Sequence, residues 1–217
     1  MRNFETDVQL LKYRVLKEVA IRAYEGNLMD SYYEIPQIIS PGPKATMRCC
    51  IYKERAIAQE RVRLAMGGDR RDPNIIEVIQ IACDECPVER YTVSESCRGC
   101  ISQRCIKNCP KNAIKKNSKG KAEIDLDTCI ECGRCAKVCP YGAIVEHVRP
   151  CERSCKINAI NMNEEKKAEI NPEKCISCGA CASACPFGAI VDKSFMVDAI
   201  NIIKNAKDAS GEQNYKV

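Results

Sequence analysis

Residues 129–145 read CIECGRCAKVCPYGAIV, four cysteines separated by two, two and three residues, with a proline directly after the last. Loops that place three thiolates three residues apart can wrap one face of a cubane and bind three of its irons. The fourth cysteine, carried away by the proline, ligates the other cluster of a pair. The pattern recurs at Cys175, Cys178, Cys181 and Cys185-Pro186. A looser form, with four residues before the third cysteine, stands at Cys97, Cys100, Cys105 and Cys109-Pro110. Aligning 121–145 with 167–191, an offset of 46, gives 16 identities in 25 positions. An internal repeat of this length marks a duplicated structural unit. The same offset carries Cys105 onto Cys151, Cys109 onto Cys155 and Asn112-Ala113-Ile114 onto Asn158-Ala159-Ile160, so the unit begins no later than Cys105.

The crossing rule then assigns ligands. Cys97, Cys100, Cys105 and Cys139 are expected to hold one 4Fe-4S cluster, and Cys129, Cys132, Cys135 and Cys109 its neighbour. Structural zinc is the competing reading, but zinc takes two C-x-x-C pairs rather than a tight run of three and a distant fourth. A third cluster closes on Cys175, Cys178, Cys181 and Cys155. Its partner is damaged, because Ala143 and Glu146 stand where the offset requires Cys97 and Cys100, leaving Cys151 and Cys185 alone. A spare C-x-x-C, Cys83-Asp84-Glu85-Cys86, lies upstream and is expected to fold across and complete a fourth cluster, using 16 of the 18 cysteines. The alternative leaves Cys151 and Cys185 as small apolar residues, and Cys83 and Cys86 to zinc with outside ligands or to nothing.

The remaining candidates are few. Cys49 and Cys50 are expected to be buried thiols, and His147, the only histidine, to lie on the surface. Tyr141 and Phe187 share a repeat position after Cys-Pro, where an aromatic shields a cluster and helps set its potential. The C-x3-C-x2-C of radical activases is absent, since Asn112 and Asn158 occupy its last position.

Cysteine makes up about 8% of the 217 residues, which in a secreted protein would imply a disulfide scaffold. The N-terminus MRNFETDVQLLKYR has no apolar signal core, and no run approaches the ~18 apolar residues of a spanning helix, so a cytoplasmic, reduced protein without membrane segments is expected. The formal net charge of +5 counts cysteines as neutral. Each cluster with its four thiolates adds roughly −2, so three or four clusters carry the total below zero. With no Trp, three Phe and scattered basic residues, nothing supports nucleic-acid binding.

Upstream of the cysteines the pattern is helical. Val8, Leu11, Val15, Leu16, Val19 and Ala23 share a helical face, Thr6 with Gln9 resembles a capping box, and Gly26 can close the end. IPQIISPGPK, with three prolines, is expected to be a loop. A second helix is predicted over 47–66, with Ile51, Ala58, Val62 and Ala65 inward and Gly67-Gly68 as its stop. Asn74–Ala82 is predicted as a strand. The expected class is α+β: a helical region over 1–73, a two-cluster ferredoxin-like module over 74–145, a second, degenerate one over 146–197, then a helix and linker over 198–217. DASGEQNYKV at the end reads as a linker to a catalytic domain beyond Val217.

The C-x3-C-P runs followed by NAI, YGAI and FGAI resemble bacterial two-cluster ferredoxins. FETDVQLLKYRVLKEVA, IPQIISPGPKATMRCCIYKERAIAQERVRLAMGG and IACDECP resemble the front end of monomeric group B iron-iron hydrogenases. That resemblance implies clusters relaying electrons between a carrier such as ferredoxin or flavodoxin and a downstream catalytic hydrogenase domain or subunit. The family's H-cluster motifs are absent, Thr46-Met47-Arg48-Cys49-Cys50 being no substitute, so no hydrogen chemistry is expected in these residues. The leading expectation is a non-catalytic multi-cluster electron-transfer module, the relay region of an iron-iron hydrogenase without its H-cluster domain; the alternative is an electron-transfer subunit of another multi-subunit oxidoreductase, such as a formate dehydrogenase.

Overall fold

The structure is a computed structural model and describes residues 4–206; the expected linker 208–217 lies outside the described residues. In chain order the elements are α1 (Asp7–Glu25), α2 (Ile35–Ile39), α3 (Ile51–Ala65), β1 (Ile76–Val78), β2 (Tyr91–Val93), α4 (Arg104–Lys107), β3 (Ile114–Lys116), β4 (Ala122–Ile124), α5 (Arg134–Val138), β5 (Ile144–Glu146), α6 (Pro150–Ser154), β6 (Ile160–Met162), β7 (Ala168–Ile170), α7 (Ala180–Ala184), β8 (Ile190–Asp192) and α8 (Met196–Asn205). None of the described helices is long and apolar enough to cross a membrane. Among the described residues the contacts make two units: 4–85 together with 150–206, and Cys86–Arg149.

In the first unit α1 is capped as the sequence implies. Thr6 accepts from the Gln9 N–H (3.2 Å), and the Gln9 side chain accepts from the Glu5 N–H (3.0 Å). Gly26, at φ 84°, turns its N–H onto Arg22 C=O. Val15, Val19 and Ala23 are buried against α2 and α3 with Ile35, Ile39, Ala58, Val62 and Ala65. The stretch expected as a loop contains α2, because Pro36 lies in the first turn, where a missing N–H leaves no bond unmade. The second helix starts at Ile51 rather than at 47. Ahead of it, Ser40, Thr46 and Met47 converge on the buried Glu54 carboxylate, which accepts from Thr46 N–H (2.9 Å), Thr46 Oγ1 (3.1 Å), Met47 N–H (3.3 Å) and Ser40 Oγ (3.2 Å). Burial pushes its pKa up, but these donors outweigh burial and hold it below the ordinary carboxylate range.

Four antiparallel ribbons carry the cysteine-rich regions. β3 pairs with β4 and β2 with β5 in the second unit; β6 pairs with β7 and β1 with β8 in the first. The last pairing corrects the expected boundaries. Asn74–Ala82, placed in the module over 74–145, forms only a short strand and a 3-10 turn (Gln80–Ala82), and that strand pairs with β8. The reason is the repeat itself: β8 is the 46-residue copy of β5 and needs a partner, as β5 has β2. Val78 stands opposite Ile190 as Val93 stands opposite Ile144. Ile79 N–H donates to Ala189 C=O (2.7 Å) as Ser94 N–H donates to Ala143 C=O (2.8 Å).

Replacing Glu54 by Ala strands the Thr46 and Met47 N–H groups. Stability in chemical denaturation of the cluster-loaded chain is expected to fall by about 1.5–3 kcal/mol at neutral pH. Because the folded carboxyl is depressed, its contribution is present above the unfolded value and is lost as pH falls through the folded one. The difference between Glu54→Ala and wild type therefore shrinks on acidification.

Candidate iron-sulfur sites

A five-residue turn is the recurring local unit. After Cys109, Cys139, Cys155 and Cys185 the chain bends back so that the N–H of Ala113, Ala143, Ala159 and Ala189 donates to that cysteine's Sγ at 3.2, 3.4, 3.2 and 3.3 Å. The residue before each alanine makes the bend: Asn112, Gly142, Asn158 and Gly188 have φ of 53, 57, 51 and 57°. Asn and Gly tolerate this left-handed conformation. The alanines are at most 2% exposed. Each N–H gives the sulfur a hydrogen-bond donor without a side chain that would fill the space beside it.

In the second unit two clefts result. One is lined by Cys97, Cys100, Cys105 and Cys139, together with Ala122 and Tyr141. The other is lined by Cys109, Cys129, Cys132 and Cys135, together with Tyr91 and Ile114. The fourth cysteine of each run thus sits in the cleft of the other. Burial pushes the Cys105 and Cys135 thiols up, and the charges of Cys139 and Cys100 around the former, and of Cys129 and Cys132 around the latter, push the same way. Gly99 permits the first cleft, since a Cβ there would lie 2.4 Å from Gly120 C=O.

The first unit holds the remaining cysteines. Cys151, Cys181 and Cys185 are buried in one apolar cluster, with Cys83, Cys155 and Cys175 packed against it. Cys178 is exposed. Burial pushes Cys181 up, reinforced by the charges of Cys175 and Cys155. Cys83 accepts from the N–H of Ala168 at 3.3 Å, as Cys97 accepts from the N–H of Ala122 at 3.4 Å. Ala122 and Ala168 are 46 residues apart. Cys83 therefore occupies, from upstream, the place that the offset assigns to Ala143. Cys86 opens the second unit, three residues along the chain.

Among the described residues no three His, Cys, Asp or Glu side chains converge closely enough to hold a single metal ion. The two clefts of the second unit, each lined by four cysteines, fit a core with four irons.

Other expectations change. Cys49 and Cys50 are exposed, not buried. Cys50 is the N-cap of α3, its Sγ accepting from Lys53 N–H at 3.4 Å, which is why the helix starts late; that bond holds its pKa below the ordinary thiol value. His147 is half-buried rather than on the surface, with Nε2 2.6 Å from Thr92 Oγ1. Tyr141 is 56% exposed, whereas Phe187 is half-buried beneath Arg48, whose guanidinium carbon is 5.7 Å from the ring centre. Sequence reasoning missed Arg48 and Arg61. Arg61 lies on the inward stripe of α3 with Ala58, Val62 and Ala65, and a charge on that stripe was the available signal.

Two protein-family models match within the cysteine-rich part of the chain. Residues 96–143 match the 4Fe-4S dicluster domain, and residues 168–191 the 4Fe-4S binding domain. A chain of the anaerobic dimethyl sulfoxide reductase of Escherichia coli K12 is 43% identical over 99 residues, 45% of this chain and 45% of that protein. A subunit of the tetrathionate reductase of Archaeoglobus fulgidus is 41% identical over 63 residues, 26% and 30% respectively. The arsenate respiratory reductase iron-sulfur subunit of Shewanella sp. ANA-3 is 37% identical over 59 residues, 27% and 25%. The chain spans less than half the length of these relatives. It carries ferredoxin-type domains and holds multiple 4Fe-4S clusters for electron transfer.

Gly142 and Gly188 test how the repeated turn is packed. Gly142→Ala meets open space and is expected to cost only the left-handed strain of about 1–2 kcal/mol. Gly188→Ala places a Cβ 2.6 Å from Arg61 Nη2 and 2.8 Å from Val8 Cγ1. Thermal unfolding of the anaerobic protein is expected to show a clearly larger loss for Gly188→Ala.

Proposed function

We propose that this chain is the iron-sulfur electron-transfer component of a multi-subunit oxidoreductase, passing single electrons to or from a separate catalytic subunit. The observation that carries this is the exchange of Cys109 and Cys139 between two clefts within residues 96–143, the stretch that the dicluster domain matches. The reductase subunits named above support the electron-transfer-subunit reading over a hydrogenase front end, which rests on the N-terminal resemblance alone. A reduced, cytoplasmic compartment suits thiols left available for iron.

The ligand sets follow. Cys97, Cys100, Cys105 and Cys139 hold one cluster, Cys129, Cys132, Cys135 and Cys109 a second, and Cys175, Cys178, Cys181 and Cys155 a third. Cys83, Cys151 and Cys185 hold a fourth, with Cys86 supplied by the C-x-x-C spacing. The shared hydrogen-bond position of Cys83 and Cys97 supports this fourth set. Each cluster supplies a one-electron couple when bound. The chain's own part is to orient the thiolates, exclude water with the four buried alanines and Ile114, Ile144, Ile160 and Ile190, and donate N–H groups to sulfur. No side chain here needs to act as acid or base.

Iron analysis of anaerobically prepared protein is expected to give about 16 irons per chain, and Cys83→Ser about four fewer. A wild-type value of about 12 would remove the fourth cluster. Affinity isolation from the native cells tests the assembly: a separate reductase-type catalytic subunit is expected in the same complex, and recovery of one longer chain with hydrogenase activity would overturn the subunit reading.

A further inference from the structure

Two arginines that the ligand sets do not use converge on the turn after Cys185. Arg61 on α3 is 4% exposed, and its Nη2 donates to Gly188 C=O at 2.5 Å. Arg48 donates its Nη2 to the adjacent carbonyl, Phe187 C=O, at 2.9 Å. The two cations differ in what else they meet. Arg48 Nη1 lies 3.7 Å from Asp84 and 3.6 Å from Glu85, so its charge is offset, and Lys53 also pairs with Asp84. Arg61 has no carboxylate partner among the described residues, and its Nε is a buried donor without an acceptor. Burying a guanidinium in this way is strongly unfavourable unless an anion answers it. Burial lowers its pKa to about 10 and the charge of Arg48 pushes it the same way, while the Cys185 thiolate opposes both.

The first repeat supplies an internal control. The turn from Cys139 to Ala143 has the same left-handed glycine, φ 57° at both Gly142 and Gly188, and the same N–H to sulfur bond. Yet nothing lies within 4 Å of a Cβ built on Gly142, and Tyr141 is mostly exposed. The guanidinium pair is therefore an addition to the second copy, brought by α3 and the segment before it, and not a requirement of the turn.

We propose, resting on the fourth-cluster reading, that Arg61 raises the reduction potential of the cluster held by Cys185 above that of its counterpart on Cys139. Reduction adds one electron, from an external donor such as dithionite, and makes no bond. The added negative charge is stabilised by a fixed cation that is shielded from water and lacks a counter-carboxylate, while the oxidised state gains less. Arg48, already offset by Asp84 and Glu85, contributes less and mainly holds the turn in place.

The test is an EPR-monitored redox titration of the whole, cluster-loaded chain, with iron counted in every sample. Arg61→Gln is expected to move one midpoint to more negative potential, on the order of a tenfold change in oxidised-to-reduced ratio at fixed potential, or ~59 mV for one electron. The other midpoints stay in place, Arg61→Lys restores most of the shift, and Arg48→Gln moves the same midpoint less. Val8→Glu, in the first turn of α1 and lining the same cavity as Arg61, is a second route, because it keeps the guanidinium and offsets its charge; the same midpoint is expected to fall. Unmoved midpoints in both Arg61→Gln and Val8→Glu with about 16 irons bound, or an equal fall of every midpoint, would overturn the proposal. About 12 irons in wild type would instead overturn the fourth cluster on which it rests.

Discussion

The contact on which the cysteine-rich regions depend is an alanine N–H turned back onto a cysteine sulfur four residues earlier. It occurs at Ala113, Ala143, Ala159 and Ala189, each preceded by a residue in the left-handed conformation and followed by a strand. A thiolate removed from water needs donors, and a backbone N–H supplies one without a side chain that would fill the cleft. Because the alanine leads directly into β3, β5, β6 or β8, the ribbon pairing and the sulfur position are set together. A ribbon without its partner would leave both the strand and the sulfur misplaced.

That coupling explains why the N-terminal region is built into the first unit. β8 needs a partner strand, and β1 supplies it, bringing Cys83 to the N–H of Ala168. α3 packs Ile57 and Leu64 into the same core as Ile76 of β1, and its other face against α1 and α2. Glu54 ties down the segment from Ser40 to Met47, which positions Arg48, and α3 carries Arg61 to the turn at Gly188. β1 thus pairs with β8 as β2 pairs with β5, and Cys83 accepts from Ala168 N–H as Cys97 does from Ala122 N–H.

The ligand runs are legible in the sequence because cysteine spacing is a local property and an iron-sulfur core demands it. The sets around Cys97 and Cys129, with their exchanged fourth members, coincide with two clefts. The 46-residue offset also identifies which thiolates the second copy lacks. Less is legible where side-chain identity does not determine surroundings. Cys50 reads as a buried thiol and is a helix N-cap, and Pro36 reads as a breaker and sits in a first turn that tolerates it. Tyr141 and Phe187 occupy one repeat position in two different environments, one mostly exposed and one beneath a guanidinium.

By itself the sequence determined the chemistry: cysteines at the spacing of 4Fe-4S ligand runs, repeated with a period that exposes two losses. Only the tertiary structure decided which strand pairs with β8 and which groups surround Cys83 and the turn after Cys185. Strand pairing across more than a hundred residues, from Val78 to Ile190, has no local signature, because either strand is equally content with any partner of matching register. The placement of Arg61 over Gly188 is likewise decided by the packing of α3 against β8, and a charged residue on an inward helical stripe acquires meaning only from the group it meets there.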